Sequence, residues 1–422
     1  MNARECVKAA LNHRETERVP MDFGGFNCTT MHVGVVTELR KYLGLEQHPV
    51  KVTDLVTMTG EIEDDLREIL GIDTCDVLGN TSVFGISADR YKEWTMVDGT
   101  VCLVPEDFNV TDDGKGGFYA YPKGDVTMPP SAHMPAKSYY FDIISRQEEC
   151  DMEDFRLEDN IKEFRLWTRS KREHFEHEAK RKRESGRFVI ISDLGTSLGG
   201  YIAMMAPFEA YPKGIRSIEE WMMATTVRPE LICEIFEYET DIALENLKSL
   251  SQETIENIDA AFICGLDFGG QIAPIYSLET IKKVYAPYYK KVNDWIHENT
   301  DWKTIKHSCG ANWEVIPILI EAGFDALNPV QCSAVGMDPQ KLKDEYGADI
   351  TFWGGGVDTQ KTLPFGTRQQ VYDQVCRRLE IFSRGGGYVF NSIHCIQKGV
   401  PMENLISIFN AYYDFNGINK KI

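Results

Sequence analysis

The sequence predicts an α/β protein built as a (β/α)8 TIM barrel, and two observations support this prediction. From residue 188 onward, short apolar runs alternate with longer amphipathic segments, as strands alternate with helices in parallel βα units. Polar residues and glycines follow each apolar run directly, at the positions that form the catalytic face of a barrel. A doubly wound open sheet would place its ligand at the same strand ends, but at least seven βα-like units, counted along the whole chain, favour the closed barrel.

The first half of the chain is less regular. Residues 3–13 predict a helix, residues 19–23 a strand that enters a glycine turn, and residues 53–70 a helix with apolar side chains at helical spacing. Residues 80–135 contain Asp-Gly and Gly-Gly turns between short apolar segments, which predicts a β-rich insertion in the N-terminal half. Residues 161–184 carry dense charges of both signs, as a solvated helix does.

The second half contains the regular repeats. The predicted strands are residues 188–192, 260–264, 303–306, 326–328, 350–353 and 388–391. The predicted helices are residues 217–225, 229–250, 277–299, 312–322, 338–346, 367–383 and 402–414. We therefore expect one barrel domain over residues 1–422, with the β-rich excursion of residues 80–135 inside it.

Composition and charge argue against several classes of partner. The chain has 422 residues, of which 43% are hydrophobic, and a formal net charge of -20. Such an acidic surface disfavours nucleic acid and anionic membranes, because both are bound through clusters of Lys and Arg. No apolar run approaches the roughly 18 residues of a membrane span, and the N-terminus lacks a signal-peptide core. The odd number of 11 cysteines fits reduced thiols, so we expect a cytoplasmic protein.

One predicted strand end carries a pair of metal-ligand side chains. His307 and Cys309 stand two positions apart where an apolar run ends at Gly310, so on a strand they point to the same face. An imidazole and a thiol on one face are two ligands that suit zinc. A buried cysteine beside a hydrogen-bonded histidine would give the same spacing, because a His-x-Cys pair is a weak signature.

A metal site needs a third ligand from elsewhere in the chain. His394 and Cys395 follow the last predicted strand, and strand parity does not choose between them. Cys264 lies inside an apolar run and fits the core better, whereas Cys332 follows Gln331 in a loop and remains a candidate. Three ligands with an open fourth position would be a catalytic arrangement, in which zinc holds a bound thiol as a thiolate nucleophile.

Further polar side chains follow the predicted strands. Any single one can be a helix N-cap or a loop hydrogen bond, and Asp193 and Asp358 are especially open to that interpretation. So many on one face are harder to explain by capping alone. The further candidates are Asp193, Asp267, Asn328, Gln331, Asp358 and Asn391.

Several motifs in a fixed order resemble the uroporphyrinogen decarboxylase superfamily. They are Arg18-Val19-Pro20 with Asp22-Phe23-Gly24-Gly25, Asp267-Phe268-Gly269-Gly270-Gln271, His307-Ser308-Cys309-Gly310, residues 319–331, residues 352–360, Gly385-Gly386-Gly387-Tyr388 and Pro401-Met402-Glu403-Asn404. The resemblance is strongest over residues 260–415 and weakest over residues 80–185. It implies a (β/α)8 barrel.

The superfamily contains two chemistries. Its decarboxylases use no cofactor and bind the carboxylates of a tetrapyrrole through arginines of an N-terminal loop. The matching residues 26–36 contain no arginine, so we place decarboxylation second. The other branch consists of zinc-dependent methyltransferases that act with methyl-corrinoid proteins, and their His-x-Cys ligand pair matches His307 and Cys309.

The third zinc ligand of that branch is a cysteine, and this chain departs from the pattern. Counting back from Pro401 places the cysteine at His394, one residue before Cys395. Either His394 replaces it, or a one-residue shift brings in Cys395. Two imidazoles with one thiolate would make a bound thiolate less electron-rich, so methyl ethers or amines are alternative methyl donors with zinc as Lewis acid.

The resemblance thus implies a cytoplasmic enzyme of one-carbon metabolism that moves a methyl group between a small molecule and a corrinoid (cobalamin) protein. A partner protein would bring the methyl-corrinoid, and the zinc ligands would be His307, Cys309 and His394 or Cys395. The expected catalytic or supporting residues are Asp267, Gln331 and Asp358, and the expected substrate-binding residues are Asp193, Asn328 and Asn391. The alternatives are a cofactor-free decarboxylase and a non-catalytic subunit of a corrinoid methyltransferase complex. A homodimer is compatible with the sequence.

Overall fold

The structure is a computed structural model that describes residues 1–147 and 155–422. The first half contains α1 (Ala3–Leu11), β1 (Met31–His32), α2 (Val33–Tyr42), β2 (Val50–Asp54), β3 (Thr59–Gly60), α3 (Asp64–Leu70), β4 (Thr74–Val77), β5 (Tyr91–Thr95), β6 (Val101–Pro105), β7 (Val110–Asp112), β8 (Phe118–Ala120), β9 (Ala132–Met134) and β10 (Asp142–Ile143).

The second half alternates strands with helices. It contains α4 (Arg169–Glu184), β11 (Phe188–Ile191), α5 (Tyr201–Met204), α6 (Ile218–Val227), α7 (Pro229–Lys248), α8 (Gln252–Asn257), β12 (Ala260–Cys264), α9 (Leu278–Thr280), α10 (Ala286–Asn299), β13 (Lys303–His307), α11 (Ile316–Glu321), β14 (Ala326–Asn328), α12 (Pro339–Tyr346), β15 (Thr351–Trp353), α13 (Thr362–Phe365), α14 (Arg368–Phe382), β16 (Tyr388–Val389) and α15 (Met402–Phe415). The predicted strands and helices from residue 188 onward overlap these elements.

A parallel sheet of seven strands, in the order β16-β15-β14-β13-β12-β11-β4, organises the fold. Its two ends approach each other at Met21, which forms a parallel bridge with Phe390 just beyond β16. The Met21 carbonyl also accepts a hydrogen bond from the Asp73 amide beside β4, at 2.8 Å. The sheet is therefore curled, and the predicted α/β class is confirmed as a TIM-barrel-like fold.

The two faces of the strands serve different cores. Val189 and Ile191 belong to the large apolar cluster that packs beneath the helices. A smaller buried cluster lies on the opposite face; it consists of Val7, Ala10, Leu11, Phe26, Phe188, Ile190, Ala260, Ile305, Ala326, Trp353 and Val389. Since His307 follows Ile305 by two residues, its side chain continues this second face at the end of β13.

Residues 80–135 contain strands β5 to β9. These strands join two smaller sheets, one in the order β1-β3-β2-β6-β5 and one in the order β10-β9-β8-β7. The pairing of β6 with β2 and of β9 with β10 extends both sheets beyond the predicted boundaries. That the segment is an insertion within a single domain stays a prediction.

The predicted helix over residues 53–70 is wrong for residues 53–63 and confirmed for Asp64–Leu70. β2 ends at Asp54, whose carboxylate accepts hydrogen bonds from the amides of Val56 and Thr57, both at 2.8 Å, and so forms a turn. Met58 then adopts a positive φ of 52°, which no helix allows. The helix begins only at Asp64, because side-chain capping of the turn competes with helix formation in this segment.

The charged helix predicted over residues 161–184 is shorter than expected. It begins at Arg169, after Thr168, whose hydroxyl accepts a hydrogen bond from the Lys171 amide.

In residues 1–147 and 155–422, no helix has both the length and the apolarity to cross a membrane. The cysteines in the same ranges are all free thiols.

Candidate metal centre

The imidazole of His307 is oriented by its neighbour on the next strand. His307 ends β13 and lies in register with Asn328, which ends β14. The Asn328 Nδ2 donates to the Trp353 carbonyl at 3.0 Å, so its Oδ1 faces His307 Nδ1 at 2.7 Å. Because that oxygen only accepts, Nδ1 carries the proton and Nε2 has a free lone pair. His307 is therefore prepared to bind a metal through Nε2.

Cys309 and Asp267 lie beside this free nitrogen. Cys309 Sγ is 3.4 Å from His307 Nε2, and Asp267 Oδ1 is 3.8 Å from it. The same carboxylate oxygen accepts a hydrogen bond of 2.7 Å from the Cys309 amide, which joins the loop after β12 to the loop after β13. Ligand atoms of Asp267, His307 and Cys309 all lie within 4.8 Å of one another.

A second group of ligand atoms shares His307. Cys28, His307 and His394 also bring one ligand atom each to within 4.8 Å of the others. The rings of His307 and His394 have centroids 5.3 Å apart and cross at 78°. Cys28 comes from a single helical turn, Asn27–Thr29, that follows Met21 and Gly24-Gly25. Three distant parts of the chain therefore meet at one imidazole.

Cys395 contacts His394 but lies outside both groups of ligand atoms among the described residues. Its Sγ lies 3.0 Å from His394 Nδ1 and 3.0 Å from Gln397 Nε2. Of the two alternatives that the sequence left open, the structure brings His394, and not Cys395, into a ligand group with His307 among the described residues.

Burial sets the charge of these groups. Burial lowers the pKa values of His307 and His394, so both imidazoles are neutral near pH 7. Burial also raises the pKa values of the Cys28 and Cys309 thiols well above their usual range, and the Asp267 carboxylate adds to the rise at Cys309. Neutral imidazoles are ready ligands, whereas these thiols need a bound cation to become thiolates.

The donor set fits zinc. Imidazole nitrogen and thiolate sulfur are the donors that zinc prefers, and oxygen donors such as Asp267 are accepted beside them. Asn328 holds His307 by a hydrogen bond, Asp267 holds the Cys309 amide, and Cys395 contacts His394. Zinc is thus compatible with the residues present.

Lys306 supports this arrangement from the opposite face of β13. Its buried ammonium donates to the carbonyls of Leu266 and His307, both at 2.5 Å, and lies 4.9 Å from the centre of the Phe268 ring. The side chain therefore ties the end of β12 to the end of β13, next to Asp267 and His307. A lysine in an apolar strand gives no sequence signal for such a role.

Two of the other candidate residues hold the loops of the centre together. Gln331 Oε1 accepts a hydrogen bond of 2.8 Å from the Gly310 amide and so fixes the turn after Cys309. Asn391 Nδ2 donates to the Asp22 carbonyl at 2.5 Å and to the Thr29 carbonyl at 3.0 Å. The first contact orients the His307 loop, and the second anchors the turn that carries Cys28.

Asp193 and Asp358 serve their own turns. Asp193 accepts from the Gly195 amide at 2.8 Å and pairs with Lys171 at 2.7 Å. Asp358 accepts from the amides of Gln360 and Lys361, at 2.8 and 3.2 Å. Within residues 1–147 and 155–422, none of these contacts leads to His307. The capping interpretation therefore accounts for both carboxylates.

Sequence reasoning missed Cys28. Its segment, residues 26–36, drew attention only through its lack of arginine. A thiol directly after the first predicted strand is the one signal that could have pointed to it, because every strand end of a barrel faces the same site.

The other two candidate thiols lie outside the centre. Cys264 donates to the Leu198 carbonyl at 3.1 Å and lies in the core. Neither Cys264 nor Cys332 belongs to the two ligand groups of the described residues.

Comparison with known proteins identifies a family and a fold. The family model described as uroporphyrinogen decarboxylase (URO-D) matches residues 201–415, half of the chain. A methyltransferase from Methanosarcina mazei is similar in structure with a TM-score of 0.55 and 13% identity, over 98% of this chain and 99% of that chain. At that identity the similarity concerns the fold alone.

One further structural match is weak. A xylose isomerase domain containing protein from Salmonella typhimurium lt2 aligns with a TM-score of 0.26 and 15% identity, over 58% of this chain and 78% of that chain. A score that low carries no argument about the fold. No curated protein matches the chain.

Proposed function

Because the chain belongs to the uroporphyrinogen decarboxylase (URO-D) family, we propose that it is a zinc-dependent methyltransferase that moves a methyl group between a small molecule and a corrinoid protein. One observation carries the proposal: Cys28 and His394 converge on His307, which also lies beside Cys309. A cofactor-free decarboxylase has no need for two imidazoles and two thiols at one point. The absence of arginine from residues 26–36 also disfavours a polycarboxylate substrate.

The proposal includes a closed (β/α)8 barrel. The segment around Met21 acts as the missing strand, since it bonds to Phe390 on one side and to Asp73 on the other. The candidate metal centre then lies at the carboxyl ends of the strands, where barrel enzymes bind their substrates.

His307, Cys309 and His394 are the proposed zinc ligands, and Cys28 is a further donor. Bound there, zinc would supply a Lewis-acid centre that favours the thiolate form of a thiol acceptor or weakens the methyl bond of an ether or amine donor. The residues around it orient and exchange protons. Asn328 keeps the proton of His307 on Nδ1, and Asp267, with a side chain that is 39% exposed, can accept a proton from the incoming heteroatom at Oδ2.

The remaining assignments follow from the same proposal. The methyl-corrinoid comes with a partner protein, and the small methyl donor or acceptor enters beside Asp267. Gln331 and Asn391 act through the loops that they hold rather than by contact with substrate. The free thiols of the described residues fit a reducing cytoplasm.

Metal content and activity together test the function. Protein purified without chelators should contain about one equivalent of zinc, and Cys309→Ala and His307→Ala should lose most of it. Transfer of the methyl group from free methylcobalamin to a small thiol added as the acceptor, followed by the absorbance of the demethylated cobalamin, should be lost in the same variants. Cys332→Ala is the matched control, because its thiol is also free but lies outside both ligand groups of the described residues.

Other results would favour the alternatives. Less than about a tenth of an equivalent of zinc would contradict the proposal, because catalytic zinc is held by three protein ligands. Decarboxylation of a polycarboxylate that withstands chelators and Cys309→Ala would favour the cofactor-free enzyme. A stable complex with a corrinoid protein that survives His307→Ala, without any turnover, would favour the non-catalytic subunit.

A further inference from the structure

A large cleft lies outside the candidate metal centre, between the helices that follow β14 and β15. Its volume is about 1060 Å³, and one face of α14 forms a wall together with α13 and the start of α12. That volume is at the upper end of the range of about 300–1,000 Å³ for small-molecule sites. The lining residues that matter here are Cys332, Lys361, Phe365, Gln374, Arg377 and Arg378.

The cleft is cationic in an otherwise acidic protein. Lys361, Arg377 and Arg378 line it, and none of the three has a carboxylate within ion-pair distance among the described residues. The formal net charge of the chain is -20, so unpaired cations gathered on one concave surface form a local exception. Such a surface concentrates anions from solution.

The carboxylates of the cleft are already engaged. Asp338 caps α12 by accepting from the Lys341 amide at 3.0 Å. Asp373 accepts from Gln369 Nε2 at 2.8 Å. Neither reaches the guanidinium groups of Arg377 and Arg378, which therefore keep their donors free for a ligand.

The charge of Arg378 acts on the Cys332 thiol, which also lines the cleft. Burial raises the pKa of the Cys332 thiol to about 11, and the Arg378 guanidinium is the largest influence that opposes this rise. Arg378 is half-buried whereas Arg377 is exposed, so the two residues differ in exposure on the same helix. A ligand with more than one anionic group would engage both residues.

An aromatic side chain stands beside these cations. Phe365, at the end of α13, is 84% exposed, which is costly for a large apolar side chain unless something packs on it. The planar guanidinium group of arginine donates two parallel hydrogen bonds to phosphate oxygens, and an aromatic ring stacks on a planar group. We propose that this cleft binds a phosphorylated small molecule of nucleotide size, with its phosphates at Lys361, Arg377 and Arg378 and its planar portion on Phe365.

The proposed site is separate from the metal centre but shares a loop with it. Gln331 bonds to the Gly310 amide on one side, and Cys332, the next residue, lines the cleft on the other. No ligand atom of the two groups around His307 lines the cleft in the described parts of the chain. Phosphate binding therefore does not depend on zinc or on methyl transfer.

Calorimetric titration of the full-length protein tests the proposal, with ATP, inorganic pyrophosphate and adenosine as probes. ATP should bind, with an affinity that falls as salt is added, and adenosine should bind at least about tenfold more weakly, a difference of about 1.4 kcal/mol. Arg377→Glu and Arg378→Gln should each weaken ATP binding severalfold. Phe365→Ala should weaken the binding of ATP but not that of pyrophosphate.

Lys115→Glu is the matched control, because it reverses an exposed charge in the turn between β7 and β8, far from the cleft in the fold. It should leave ATP binding unchanged. The proposal is overturned if neither ATP nor pyrophosphate binds at millimolar concentration, or if Lys115→Glu weakens binding as much as Arg377→Glu does. The half-buried Arg378 is changed to Gln rather than to Glu, so that this variant tests binding without placing a carboxylate at that position.

Discussion

One amide determines the protonation of the residue at the centre of the site. Asn328 accepts the Nδ1 proton of His307 through Oδ1, while its Nδ2 is held by the Trp353 carbonyl. An imidazole fixed in this way presents Nε2 without the cost of reorienting the ring. Metal affinity should therefore depend on Asn328, although this residue is not itself a ligand.

Asn328→Leu should lower zinc affinity by about 10–100-fold, because the substitution removes the group that fixes the tautomer of His307. Competition with a chromophoric chelator measures the affinity. Asn404→Leu is the control, since Asn404 is equally buried and bonds two backbone carbonyls on α13 and after it. That variant should lose stability but keep its zinc affinity. Equal zinc affinity in Asn328→Leu and the unaltered protein would contradict the orienting role.

The structure also ranks two thiols that differ in how they meet the histidines. Cys28 lies with His307 and His394 in one ligand group, whereas Cys395 contacts His394 Nδ1 at 3.0 Å and belongs to neither ligand group of the described residues. Cys28→Ala should therefore reduce zinc affinity by about tenfold or more, and Cys395→Ala should reduce it less, as loss of an orienting contact does. The same chelator competition compares them. The reverse order would show that Cys395 turns inward when metal binds.

How far the site could be predicted differs from residue to residue. Strand alternation predicts that His307 and Cys309 share a face. The two side chains do meet, at 3.4 Å, but β13 ends at His307 and Cys309 is held in the following loop by Asp267. His394 needed a count from Pro401, since its loop has no periodicity. Cys28 could not be placed, because its partner lies at residue 307 and no local spacing reports a contact over that distance.

At the scale of elements, an ion pair joins the segment at Met21 to the edge of the sheet. Arg18 donates through both terminal nitrogens to Asp73, at 2.5 and 2.6 Å, directly before β4. Burial raises the pKa of Asp73, and Arg18 opposes that rise. The pair therefore favours the charged form of a buried carboxyl where the two ends of the sheet meet.

Arg18→Met should destabilise the protein by about 2–4 kcal/mol, because it leaves the Asp73 carboxylate buried without its partner. This expected loss of stability is toward the lower end of the range for buried ion pairs, because the Arg18 side chain is partly exposed. Arg90→Met, which breaks an exposed pair with Glu106, should cost less than about 1 kcal/mol. Urea denaturation measures both. Similar losses in the two variants would contradict the structural role of the Arg18 pair.

The strands and helices that the sequence predicts correctly are those whose signal is local. Strands such as β11 and β14 are buried on both faces, so short apolar runs between polar turns identify them without knowledge of their partners. The prediction of one continuous helix over residues 53–70 failed because the apolar spacing also fits two short strands followed by a helix. The turn at Asp54 favours the strands over a continuous helix, because the Asp54 side chain bonds the backbone amides of Val56 and Thr57. The spacing of apolar residues does not report such a contact.

At the scale of the whole molecule, one buried carboxyl makes stability depend on pH. Glu239 on α7 is fully buried, and burial raises its pKa to about 8. An exposed glutamate in the unfolded chain has a pKa of about 4.3. Between these two values the folded protein binds one more proton than the unfolded chain does. This contribution to stability is complete below about pH 4.3 and is lost as the pH rises toward 8.

Glu239→Gln should remove that dependence, because an amide does not titrate. Between about pH 5 and pH 8, the unaltered protein should lose up to about 1.4 kcal/mol of stability per pH unit relative to the variant. Urea denaturation across this range measures the difference. Glu245→Gln, an exposed position on the same helix, is the control and should follow the unaltered protein. Parallel curves for Glu239→Gln and the unaltered protein would contradict the assignment.

The whole account rests on donors from three distant parts of the chain meeting at one cation. Anomalous diffraction at the zinc absorption edge, from crystals of the zinc-loaded protein, tests this most directly. We predict one peak about 2.0–2.1 Å from His307 Nε2 and about 2.3 Å from Cys309 Sγ, with His394 and Cys28 as the nearest further donors. A peak held by other residues, or none at His307 in fully loaded crystals, would contradict the proposed metal centre.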